Sequence, residues 1–211
     1  KTLVDYGDGS SFEPLRISFE SGHLVDVSNR KRDKQSITAS AILAAEALTG
    51  DILPAVSDIW ANALSIVRAS SAISPSSSSV EGDMKKCGEA DIPRQHLLNG
   101  VLNSAFVIYV TPNGPQCYRD GGAPSGVLSY STICSFDQNM RPIFANLVVC
   151  FSGIDVSFGE VSVTESLRLT ASLTKEIGKL IGIGPALYEY FRDVETGKQE
   201  GATIKGVACV D

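Results

Sequence analysis

Histidine is nearly missing: of 211 residues, only His23 and His96 carry an imidazole. That leaves little nitrogen for a metal cluster, and the five cysteines (Cys87, Cys117, Cys134, Cys150 and Cys209) lack the paired CxxC spacing of a zinc knuckle. With neither histidine near a Ser or Cys in a recognisable motif, Ser/His and Cys/His catalysis have no visible constellation. A basic stripe is missing too. Eighteen Lys and Arg against 24 Asp and Glu give a net charge of -6, and the densest basic group is Arg30, Lys31, Arg32 and Lys34. A phosphate backbone would be repelled, which argues against nucleic acid as a partner. The longest apolar run, Ile143 to Phe151, is interrupted by Asn146 and falls far short of the ~20 residues that cross a bilayer, so no membrane span is expected in this segment. There is no Asn-x-Ser/Thr acceptor and no internal repeat. Lys1 opens the chain with no charged-then-apolar leader, which reads as a mature, processed or excised piece.

What is present suffices for one packed domain, since 43% of residues are hydrophobic and only 20% charged. PLRISFE (14 to 20) alternates Leu15, Ile17 and Phe19 with polar neighbours, the period of a half-buried strand. NSAFVIYVT (103 to 111), GVLSYSTIC (126 to 134) and IFANLVVCF (143 to 151) are β-branched and aromatic runs, expected as strands of one sheet. The Gly- and Pro-rich TPNGPQCYRDGGAPS between the first two reads as a loop at a sheet edge. From Ala39 to Ala69, Gly50 and Pro54 are expected to split an Ala/Leu-rich stretch into a short segment and a longer helix. That helix should bury Ile52, Val56, Ile59, Ala63 and Val67 as one stripe, with Trp60 in the core. SNRKRDKQS (28 to 36) and the Ser-rich SSAISPSSSSVEGD (70 to 83) read as exposed loops. Helix, strands, helix in that order predicts an α/β or α+β domain. Two disulfides plus one spare thiol fit an oxidising compartment, with Cys209 seeking a partner outside this segment; five buried cytosolic thiols are the competing reading.

A helix is expected over 165 to 182, with Leu169, Leu173, Ile177, Leu180 and Ile181 on one face and Lys175, Glu176 and Lys179 opposite. Gly178 and Gly182 cost helix propensity, and a close-packed neighbour or a chain reversal at Gly182 to Pro185 would justify them. Zinc proteases place two histidines at the spacing of Lys175 and Lys179, flanking a glutamate that polarises the metal-bound water. A lysine ammonium has no lone pair to offer a metal. Taken alone, KEIGK is an ordinary solvated face.

Four stretches in order give it a context. TASLTKEIGKLIGIGPALYEYFRD is similar to THEMAHALGFSGPFFEDAR of the leishmanolysin family of metzincin metalloproteases, with Thr174, Glu176 and Gly182 kept. KCGEADIPRQHLLNGVLNSAFVIYVT resembles that family's CG-x-x-x-VP-x-x-H and DFVMYV, through Cys87, Gly88, Ile92, Pro93, His96 and FVIYV at 106 to 110. GVLSYSTIC resembles GVLAWATTC, and PLRISFE resembles the opening LRIAVS strand.

The resemblance implies a metzincin-type N-terminal subdomain over 1 to 192, an α+β unit with a mixed twisted sheet of about four to five strands on two long helices. Residues 193 to 211 then begin a linker or downstream subdomain. It sets Lys175 and Lys179 at the two zinc histidines of the helix and Glu176 at the general base, so no catalytic residue and no cofactor is expected, zinc included. The family's third histidine lies downstream of the helix, and no histidine follows His96. A lysine is expected to occupy the vacated position and pair with Glu176. Cys87 is expected to pair with Cys134 as the family's cysteines do, leaving Cys117 with Cys150 as a second bridge. His96 is expected to be a hydrogen-bonded structural residue and His23 exposed and inert. The implied function is a pseudoprotease, a surface or secreted binding or structural component. Its partner would be a protein or peptide, or the C-terminal subdomain of the same precursor, and its peptide-binding edge Gly126, Val127, Leu128, Ser129 and Tyr130. The alternative is a leishmanolysin-type metalloendopeptidase with residual or unconventional activity.

Overall fold

A computed structural model describes residues 4–6, 12–24, 39–67, 69–75, 86–157 and 159–183. The expectations for the basic loop at 28 to 36, for 193 to 211 and for Cys209 lie outside these. In chain order the elements are β1 (Phe12–Pro14), β2 (Ile17–Glu20), α1 (Ala39–Ala47), α2 (Leu53–Ala63), β3 (Ser65–Val67), β4 (Lys86–Cys87), β5 (Ala90–Asp91) and α3 (Arg94–Asn99). β6 (Phe106–Pro112), β7 (Ser129–Phe136), β8 (Pro142–Val149), β9 (Val156–Ser157), β10 (Glu160–Val161) and α4 (Val163–Leu180) follow.

The β-branched runs form one four-stranded sheet in the order β2-β6-β8-β7. β2, β6 and β8 run parallel, and β7 lies antiparallel to β8 at one edge. Parallel strands must be covered on both faces, which explains why β6 and β8 read as continuous apolar runs. Ile108, Val110, Ala145, Leu147 and Val149 pack with Leu48, Ile52, Val56, Leu169, Leu173 and Ile177 of the helical layer. Val107, Tyr109, Ile143 and Phe144 pack with Ile73, Cys87 and Ala90 in a second cluster. The fold is α+β, as expected. Asn146 interrupts the β8 run because its amide is fully employed. Its Nδ2 donates to the Tyr109 carbonyl at 2.8 Å and to Thr111 Oγ1 at 3.0 Å, and its Oδ1 accepts from the Glu89 N–H at 3.1 Å. The chain reaches that amide through Gly88, at φ +58°, where a Cβ would stand 2.6 Å from Asn146 Oδ1.

Three local expectations are corrected. Gly50 and Pro54 do not split the first helical stretch. A π-turn at Leu48–Ile52 joins α1 to α2, and the Leu53 N–H reaches the Leu48 carbonyl. The widened turn accommodates Pro54, which has no N–H to continue an α-helical ladder. The buried stripe is Leu48, Ile52, Leu53, Val56 and Trp60, whereas Ile59 and Ala63 are exposed and Val67 belongs to β3. Counting onward from Val56 in steps of four selects position 60, not 59, and the helix ends before 67. Finally, the start of the Ser-rich stretch does pack: Ile73 is fully buried and bridges Val101, with paired backbone hydrogen bonds of 2.7 and 3.0 Å.

Ala39–Ala63, 25 residues long, has the length and composition to cross a bilayer, although its sequence holds no long unbroken apolar run. In this fold its apolar stripe forms part of the core. Disulfides join Cys87 to Cys134 and Cys117 to Cys150. The first ties β4 to β7 and the second pins the Gly/Pro-rich loop to the end of β8. Their loops of 47 and 33 residues correspond to about 4 kcal/mol each in chain-entropy terms.

Candidate functional site

Helix α4 is built to be rigid at its start. Ser162 caps it by accepting the Glu165 N–H at 3.2 Å. Glu165 in the first turn accepts from Arg168 Nε at 2.7 Å and Nη2 at 2.5 Å, and from the Asp155 N–H at 3.1 Å. The Arg168 bonds, helped by the Asp155 N–H, hold the Glu165 carboxyl below its usual range against the opposing effect of burial. The apolar face buries Leu169, Leu173, Ile177 and Leu180, as the wheel requires.

One residue of KEIGK departs from the wheel. Lys175 and Lys179 are exposed, but Glu176 is only 9% exposed rather than solvated on the opposite face. Position 176 adjoins the apolar face, and the edge strand β7 lies over it. Ser131 Oγ donates to Glu176 Oε2 at 3.1 Å, while Lys179 Nζ donates to Oε1 at 2.6 Å. Each carboxylate oxygen therefore has its own donor. One turn back, Ser129 Oγ and Ser172 Oγ are hydrogen bonded at 2.9 Å. A pair of polar contacts thus seats the strand on the helix beside the three KEIGK side chains.

Of the expected edge residues, Ser129 and Tyr130 lie in β7 and Gly126, Val127 and Leu128 precede it. The Leu128 carbonyl accepts the Cys150 N–H at 2.8 Å, so Leu128 faces β8. Antiparallel alternation then turns the backbone of Ser129 and Ser131 toward the outer edge, which no strand among the described residues covers. His96 bonds Tyr109 Oη through Nδ1 at 3.1 Å and stands 3.8 Å from Glu20 through Nε2, bracing α3 against the sheet. His23 reaches the Asp91 carbonyl at 3.2 Å. Neither imidazole comes together with KEIGK in a metal-binding group. Among the described residues no three His, Cys, Asp or Glu side chains converge on a point that could hold a metal.

The donor chemistry at 175, 176 and 179 does not fit zinc. Two ammonium groups offer no lone pair, and both oxygens of Glu176 already accept hydrogen bonds. What the arrangement offers is a clamped carboxylate–ammonium pair beneath a strand edge. Sequence reasoning missed Ser131 and Ser172, and named Ser129 only as an edge residue, not as a contact of α4. Their only signal was a serine at alternate positions of β7, facing a serine one turn before Glu176.

The family model described as Leishmanolysin matches residues 13–199. Two proteins called "Leishmanolysin-like peptidase", from Caenorhabditis elegans and Caenorhabditis briggsae, are each 32% identical to the chain, over 128 and 126 residues. The matched stretches cover 52% and 51% of the chain and 18% of each relative, so the chain spans less than a fifth of the length of these curated relatives.

Proposed function

The chain belongs to the leishmanolysin family, and from that premise we propose that it is a non-catalytic member, a pseudoprotease with a metzincin-type subdomain that binds peptide or protein and holds no zinc. The observation that carries this reading is Lys179 Nζ at 2.6 Å from Glu176 Oε1. An ammonium at a family ligand position neutralises the carboxylate that would otherwise serve as general base, replacing one cation by another. Without a metal-bound water, Glu176 has no proton to take.

The capacity to bind rests on β7. Its outer edge offers the Ser129 and Ser131 backbone for β-addition of an extended peptide, and two hydrogen bonds to α4 hold that stretch of the strand on the helix without metal. Two disulfides suit a secreted or cell-surface setting. Metal analysis of the native protein tests the reading directly. The expected result is zinc far below one per chain after purification without chelator; one zinc per chain, lost together with a Glu176→Gln substitution, would overturn it. The relatives' description as peptidases favours the alternative of retained proteolysis, for which peptide hydrolysis abolished by a chelator is the required result.

A further inference from the structure

A stripe of α4 that takes no part in the core runs beside the clamped carboxylate. Leu167, Ala171, Thr174 and Gly178 recur four, three and four residues apart, the spacing of a single helix face. With Ile59 and Trp60 of α2 they line an apolar groove of about 770 Å³. Its floor is close-packed: the Trp60 ring lies on Gly178, where a Cβ would stand 3.2 Å from Cζ2. Its walls are not, for Leu167, Ile183 and Ile59 remain 66%, 60% and 43% exposed. Ile183 is held there by the end of α4. Gly182, at φ +113°, closes the helix with a Schellman arrangement, in which the Ile183 N–H bonds the Gly178 carbonyl at 2.8 Å and the Gly182 N–H bonds that of Lys179 at 3.4 Å. Large apolar side chains left on one contiguous surface mark an interaction face.

The charges bordering this face differ in sign from one side to the other. Lys175 and Lys179 stand on the side of β7, because Lys179 Nζ bonds Glu176, the residue that β7 overlies through Ser131. On the α2 side, Ala55, Asp58 and Asn62 share the exposed surface beyond Ile59, on the flank away from Trp60. Lys179 is already paired with Glu176, but Lys175 and Asp58 are exposed and enter no ion pair among the described residues. A strip that runs basic, apolar, acidic is complementary to itself. Turned about a two-fold axis parallel to the helices, its basic side falls on its acidic side and its apolar middle on its apolar middle. A two-fold running across the helices would instead set lysine on lysine. The size of the face points to a modest affinity. The 18 residues of α4 span about 27 Å and two helices side by side about 20 Å, a footprint smaller than that of a permanent dimer.

We propose that the α2/α4 face is a contact between two copies of this chain, with Leu167 and Ile59 of each copy packed over the groove of the other and Lys175 of each paired with Asp58 of the other. Sedimentation velocity on the 211-residue chain, carrying Cys209→Ser so that no disulfide joins copies, tests it. The expected result is a reversible monomer–dimer equilibrium with a dissociation constant on the order of 10 μM. Lys175→Glu and Asp58→Lys should each weaken dimerisation by about tenfold or more, since either reversal sets like charges together at both ends of the contact. An equimolar mixture of the two variants should restore it, because every facing pair is then of opposite sign. Leu167→Ser, at an exposed position, should abolish dimerisation and leave the thermal melting of the monomer unchanged. A chain that stays monomeric up to about 500 μM overturns the proposal. So does a dimer indifferent to both charge reversals or to Leu167→Ser, and so does a mixture of the charge variants that associates no more tightly than either variant alone.

Discussion

Two glutamates of α4, one in the first turn and one in the last, are each buried and each held by a cation three residues on. Glu165 pairs with Arg168 and Glu176 with Lys179. The resemblance ends there. Glu165 sits where the helix dipole and the orphan N–H groups welcome a negative charge, and Arg168 also donates to the Gly153 carbonyl at 2.6 Å, locking the 153–155 turn to the helix. Glu176 sits in the last turns, where the same dipole disfavours a carboxylate, and no backbone N–H among the described residues bonds it. It is held by one ammonium that is half exposed and one serine hydroxyl. The first pair is what a helix start asks for. The second stands against local electrostatics, which suits the proposal that Glu176 is kept from a former site rather than chosen for stability.

The largest effect should come from the first pair. Glu165→Ala removes the partner of a bidentate arginine and strands the Asp155 N–H, a loss of about 3 kcal/mol by urea denaturation. A loss below that of Lys179→Met would break the comparison. Acid should reveal the same group. Its folded pKa lies below the unfolded value, so its contribution is complete at neutral pH. That contribution begins to fade as the pH drops below about 4.3 and is gone below the folded value. In a Glu165→Gln chain this part of the acid-induced fall in stability should be missing, as followed by thermal melts from pH 6 to pH 3.

Next in size is Lys179→Met. Removing the half-exposed partner leaves a buried carboxylate with a single hydroxyl donor, and the cost should be about 1 to 2 kcal/mol. Nearly all of it should disappear in the double variant with Glu176→Gln, which no longer buries a charge. An additive double variant would mean that the two side chains act independently and that the 2.6 Å contact carries no coupling.

These contrasts also mark what the sequence could and could not reveal. Period-two alternation and β-branched runs located β2, β6, β7 and β8, since buried strands leave a composition no loop imitates. The apolar stripe of α4 was equally legible, and Gly178 and Gly182 announced the close neighbour and the reversal that Trp60 and the helix cap supply. The burial of Glu176 was not legible. A helical wheel sees one helix, and what covers position 176 is a strand arriving from 45 residues earlier in the chain. The π-turn escaped for a similar reason. Gly50 and Pro54 signal a break, but whether the chain bends or widens depends on the core that Leu48 and Ile52 must reach. The exposure of Leu167 and Ile59 was not legible either, because they look like any other apolar residues until their neighbours are placed.

The smallest effect is the most discriminating. Glu176→Gln keeps the size of the side chain, keeps an acceptor for Ser131, and releases Lys179 to water, where a half-exposed ammonium loses little. The dipole at the helix end then no longer opposes a charge. Stability should change by less than about 0.5 kcal/mol, or rise slightly. A pair that mattered to the fold would show a loss approaching that of Glu165→Ala, and a residue working as a base would show the loss in peptide turnover instead. Near-neutrality in stability, with binding at the β7 edge unchanged, is the outcome that separates a retained relic from both, because only a carboxylate with neither structural nor chemical duty can be neutralised without consequence.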